Sequence, residues 1–86
     1  MLKNIVQYVK NDDFYINIWK NKINIVNFKE IVVLEENKIV ILSPYNKVII
    51  KGSNLSINKL LDSEILITGI FTLIEFGAFY NYFIIW

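Results

Sequence analysis

Histidine, cysteine and arginine are all missing from this chain, and each absence removes a class of chemistry. Without histidine no side chain titrates near neutrality at its ordinary pKa, and Ser43, Ser53, Ser56 and Ser63 have no imidazole to activate them. Without cysteine there are no disulfides and no thiolate metal sites, which fits a reducing compartment. Without arginine the chain lacks the planar donor fork that grips phosphates and reads guanine edges. The lysines and acids nearly balance, leaving a net charge of +1, so no overall field draws nucleic acid or anionic lipid. Nucleic acid is therefore excluded as the expected partner, and no cofactor, metal or small-molecule substrate is expected.

A single proline and three glycines punctuate a chain that is 55% hydrophobic, above the roughly 45–50% of ordinary soluble domains. Its 86 residues suit one domain, because separate cores rarely fit in fewer than about 50 residues each. Lys3, Gln7 and Lys10 interrupt the first ten residues, so no secretory leader is read there and a cytoplasmic location is expected. Glu75 splits the apolar stretch from Ile65 to Trp86 into runs shorter than the ~20 residues that span a bilayer.

Hydrophobic spacing gives the elements. Leu2, Ile5, Val6 and Val9 fall on one face of a helix, which predicts a short N-terminal helix over residues 1–11, stopped by Asn11, Asp12 and Asp13. From Phe14 the period becomes two: Phe14, Ile16 and Ile18, then Ile23 and Ile25. Further runs at Ile31–Leu34, Ile39–Leu42, Val48–Ile50, Leu55–Ile57, Leu60–Leu61, Ile65–Ile67 and Ile70–Phe76 are separated by short polar breaks. Ser43-Pro44-Tyr45-Asn46 is a turn, with Pro44 suited to its first central position and Asn46 to its end. Gly52 and Gly69 mark bends or bulges where a side chain would be in the way.

Connections this short permit only antiparallel neighbours. The expected fold is all-β: an antiparallel meander of about eight short strands over residues 14–76, forming a small roll, sandwich or partly closed barrel. Its core should contain Ile39, Ile41, Val48, Ile50, Leu55, Ile57, Ile65, Ile67, Ile70 and Ile74.

Candidate chemistry is sparse. Asp12-Asp13, Glu35-Glu36 and Asp62 with Glu64 fall in expected loops, where acids are ordinarily solvated. Lys51-Gly52-Ser53-Asn54 lacks the spacing of a phosphate loop. Tyr15, Trp19, Lys20 and Lys22 are similar to a base-stacking platform, but aromatic cross-strand pairs serve ordinary sheets equally well. The feature that stands apart is the tail, residues 77–86, with Phe79, Tyr80, Tyr82, Phe83 and Trp86. Exposed aromatic clusters mark contacts with protein or membrane; packing of the tail into the core is the equal alternative.

A family resemblance adds the biology. Residues 23–76 hold an ordered series: Ile25, Asn27, Phe28 and Ile31; Glu36 and Ile39–Ile41; Val48 and Ile50 before Lys51-Gly52; Leu55 and Ile57; then Ile65, Ile67, Gly69, Ile70, Ile74 and Phe76. This series resembles the YabP/YqfC family of sporulation proteins, and its Asn27-Phe28 opening is closer to the YqfC branch. The resemblance implies a non-enzymatic, β-rich protein of the mother cell of an endospore former, acting in spore envelope assembly, in cortex or coat. It implies a membrane-protein partner, with which a peripheral position at the forespore-facing membrane is expected; the sheet edges and the aromatic tail add self-association as a further contact. It supplies no catalytic residues. The chain departs from the family pattern at the proline turn, in lacking a glycine before the first matching strand, and in its aromatic tail. A generic β-barrel that binds a ligand or lipid through that tail is the second reading.

Overall fold

The computed structural model describes residues 13–77. Among them the chain forms six strands: β1 (Tyr15–Ile18), β2 (Lys22–Val26), β3 (Glu30–Leu34), β4 (Lys38–Leu42), β5 (Lys47–Leu60) and β6 (Glu64–Gly77). All pair antiparallel in one open sheet of order β1-β2-β6-β5-β4-β3. The fold is all-β, as the alternation predicts, with six strands in place of about eight and, among the described residues, one open sheet ending in β1 and β3 where a small roll, sandwich or partly closed barrel is expected. The helix expected over residues 1–11 and the aromatics Phe79, Tyr80, Tyr82, Phe83 and Trp86 lie outside the described residues.

The strand count falls because β5 and β6 each run for 14 residues through positions that look like breaks in the sequence. Gly52, Asn58-Lys59 and Gly69 are irregularities within continuous strands. The β5–β6 ladder shifts register at Lys51/Gly52, Ser53/Ser56 and Ile57/Lys59, and bulges of this kind bend a strand without ending it. A meander connects β3 to β6, but β2 pairs with β6 and not with its sequence neighbour β3.

The long strands divide the sheet into two flanks. Residues 47–53 of β5 and 70–77 of β6 pair with each other, and β4 and β3 extend that flank; residues 56–60 of β5 and 65–68 of β6 pair with each other, and β2 and β1 extend the other. Both flanks supply one cluster: Ile39, Ile41, Val48 and Ile50 from the first, Ile23, Ile25, Ile65 and Ile67 from the second, and Leu55 from the bend between them. Because β2 and β4 are separated by two strands, a shared core requires a sheet bent across β5 and β6. Val40 is buried on the opposite face, between Val33 and Ile49 of the neighbouring strands.

Two glycines shape the bend. A Cβ on Gly52 would overlap the Ile70 carbonyl oxygen, and Gly69, at φ +146°, would place one 2.8 Å from the Asn54 carbonyl oxygen. Side chains at either position would push β5 and β6 apart, so glycine is required for close backbone approach. Asn54, opposite the bend, takes a left-handed φ of 54°. The end of the β3–β4 turn reaches the same place: Gly52 N–H donates to Asn37 O at 3.1 Å and Leu55 N–H to Glu36 O at 2.8 Å.

The bulge also changes which β6 residues face the core. Leu73 pairs with Lys51 but Phe71 with Gly52, so Thr72 is the extra residue, its hydroxyl donating to Lys51 O at 3.1 Å. Phe71 therefore packs against the core cluster, whereas Ile70, an expected core residue, is 59% exposed. Ile57 and Ile74 are partly buried against the cluster.

Candidate interaction surface

Among the described residues no group of His, Cys, Asp or Glu is arranged to hold a metal, and no buried side-chain polar atom lacks a hydrogen-bond partner. The surface is more distinctive than the interior. Its notable feature is the rim of the core. Ile18, Leu34, Leu60 and Phe76 are each 55–56% exposed. Yet their ladder partners, Ile23, Ile39, Ile65 and Val48, are completely buried. Residues directly opposite in an antiparallel ladder share a face, so all four point to the core side and are exposed because they stand on the outermost strand of their flank.

The rim arises from strand order. Among the described residues each flank ends in two edges: β3 and residues 70–77 of β6 on one, β1 and residues 56–60 of β5 on the other. Edge strands present unpaired N–H and C=O groups, and proteins usually blunt them with charge, short length or bulges. β3 opens with Glu30 and has a register shift at Val32; β1 has four residues; the β5 edge carries Lys59 and a register shift. The β6 edge is the longest of these and the most apolar, with Glu75 its single charge. Its last rows, Leu73 to Gly77, continue in regular register.

An open groove of about 850 Å³ runs between Phe28–Ile31 and the β5–β6 turn, Leu60–Glu64. Asn27, next to Phe28 in the chain, reaches the β5–β6 turn. This residue has a left-handed φ of 64°, its N–H donates to Ser63 O at 2.6 Å, and its Nδ2 donates to Asp13 O at 2.7 Å. It thereby ties together the approach to β1, the β2–β3 connection and the β5–β6 turn. Sequence reading placed Asn27 in a break but not at this junction; the signal available was that asparagine is favoured where φ is positive.

Other positions singled out from sequence are structural in their surroundings. Pro44 and Tyr45 are exposed between β4 and β5. Ser43, 2% exposed, organises the turn: its Oγ accepts from Tyr45 N–H at 3.0 Å and Asn46 N–H at 2.9 Å, and lies 2.8 Å from Asn46 Oδ1. Gly52 and Gly69 sit at the bend, where an added Cβ would meet backbone atoms of the facing strand. Asp62 and Glu64 meet at the groove, but Glu64 accepts from Asn24 Nδ2 at 3.0 Å, a cross-strand contact.

The sequence model of the YabP family matches residues 16–79, 64 of the chain's 86 residues, and the chain belongs to that family. Membership marks a sporulation-related protein. The matched region contains β2 to β6, all of β1 but Tyr15, and both glycines of the bend. No curated protein and no solved structure matches the chain.

Proposed function

We propose that this YabP-family chain is a non-enzymatic assembly protein of the spore envelope, made in the mother cell, that works through contacts with a membrane-protein partner and with itself. The observation that supports this reading is the rim: Ile18, Leu34, Leu60 and Phe76 face the core side and remain more than half exposed. Apolar surface of this kind, beside open strand edges, suits recruitment of another chain by strand addition. The lack of histidine, cysteine and arginine argues in the same direction, away from catalysis. The Asn27-Phe28 opening favours the YqfC branch within the family, and a peripheral position at the forespore-facing membrane follows from the membrane partner.

A fluorescent fusion in an endospore-forming host tests the reading. The fusion should appear in the mother cell during sporulation, gather at the membrane around the forespore, and disperse when a neighbouring membrane-protein gene is deleted. Uniform cytosolic signal, together with normal spores from a deletion strain, would contradict it.

A further inference from the structure

We propose that the open half of β6 is a self-pairing edge: two copies of this chain join antiparallel along residues 72–76, about a two-fold axis through Ile74. The inference deepens the assembly reading above and rests on it, since it names the edge and the partner. Among the described residues the outer side of Ile70–Gly77 has no paired strand, because the β2 ladder ends at Lys22 opposite Thr68 and its last bond runs from Gly69 N–H to Asn21 O. Apart from the bulge at Thr72 and the charge of Glu75, this edge runs in regular register from Leu73 to Gly77, and its outward backbone groups, unpaired among the described residues, can be matched by an identical strand.

Register follows from side-chain facing and charge. Opposite residues in an antiparallel pair lie on the same face, so the axis must pass through a residue and not between two. An axis at Glu75 would set two carboxylates directly opposite, which is destabilising. An axis at Leu73 would oppose Glu75 to Phe71, which the bulge at Thr72 turns to the core side. An axis at Ile74 avoids both faults. Ile74 then meets its own copy on the core face, and Leu73 meets Glu75 of the second chain on the outer face. Lys51 is the ladder partner of Leu73, so the incoming Glu75 lies two strand spacings away, about 10 Å, within the combined reach of a lysine and a glutamate side chain. The two-fold repeats this complementary pair.

The absence of native cysteine makes cross-linking of the full chain a clean test. Leu73 is 45% exposed and Glu75 is exposed, so Leu73→Cys and Glu75→Cys leave the core intact. An equimolar mixture of the two variants should oxidise largely to a mixed disulfide dimer, well above either variant alone. Val32→Cys, on the exposed β3 edge, should give little. Wild-type chain should shift from monomer to dimer mass as concentration rises, and Ile74→Pro should remove that shift. A mixture that cross-links no better than the Val32→Cys control, or a chain that stays monomeric at every concentration, overturns the proposal. Membrane recruitment in the host is read separately, so it can persist when self-pairing fails.

Discussion

The two halves of β6 are similarly apolar and have opposite fates. In the first half Ile65 and Ile67 are completely buried; in the second Ile70 and Phe76 are 59% and 56% exposed. The difference lies in pairing and in the bend. Among the described residues, 65–68 have a strand on each side, β2 and β5, whereas 70–77 have β5 alone. Hydrophobicity therefore does not decide burial along this strand. Long-range partners decide it, and a bulge settles which residues of the exposed half face the core.

The junction between the halves is where substitutions should act most strongly. Gly69→Val should have the largest effect, because the left-side backbone conformation alone costs of order 1–3 kcal/mol for a non-glycine residue and the new side chain would press on the Asn54 carbonyl oxygen and Leu55. Loss of the folded state, seen as a missing cooperative transition in chemical denaturation, is expected; a stable Gly69→Val protein would mean that β5 and β6 do not approach as described. Next comes a matched pair across the junction. Ile67→Ala should cost about 2–5 kcal/mol, while Ile70→Ala should stay within about 0.5 kcal/mol. Equal losses in the two denaturation midpoints would return Ile70 to the core.

Those two isoleucines also show what the sequence made legible. Alternation and turn chemistry revealed an all-β antiparallel chain, the turn at Ser43–Asn46, and most core positions up to Ile67, because each follows from neighbours one or two residues away; Ile57 is only partly buried, and Ile23 and Ile25, fully buried, lie outside the expected core. The family was equally visible, since it rests on ordered residues and not on three-dimensional arrangement. Beyond Gly69 the period of two was carried on through Ile70 and Thr72, and a single extra residue in the ladder moved the inward position to Phe71. The excess strands had the same origin: Gly52, Asn58-Lys59 and Gly69 resemble ends, and nothing local distinguishes the end of a strand from a bulge within one. The pairing of β2 with β6 joins residues about 40 apart in sequence, a contact no local pattern specifies. The rim was invisible for the same reason, since Ile18 and Phe76 are exposed by strand order alone.

Smaller effects sharpen the contrast between the flanks. Ser43→Ala should cost about 1–3 kcal/mol, because the N–H groups of Tyr45 and Asn46 lose their acceptor in a buried turn. The loss should be seen in a lowered denaturation midpoint with unchanged slope. At the bend, Asn54→Gly should raise stability by up to about 1 kcal/mol by relieving a left-handed residue; a clear loss would show that the Asn54 side chain contributes more than its backbone strain costs.

Amide hydrogen exchange along β6, followed as the protein is diluted, reads the pairing of each half residue by residue. The account predicts that Ile65 to Thr68 stay protected at every concentration. In Leu73 to Phe76, the amides directed away from β5 should exchange quickly in dilute protein and slow as concentration rises and the edge finds its second copy. Uniform protection from Ile65 to Phe76 that ignores dilution would contradict the account, because it would mean that the second half of β6 is already paired on both sides within a single chain.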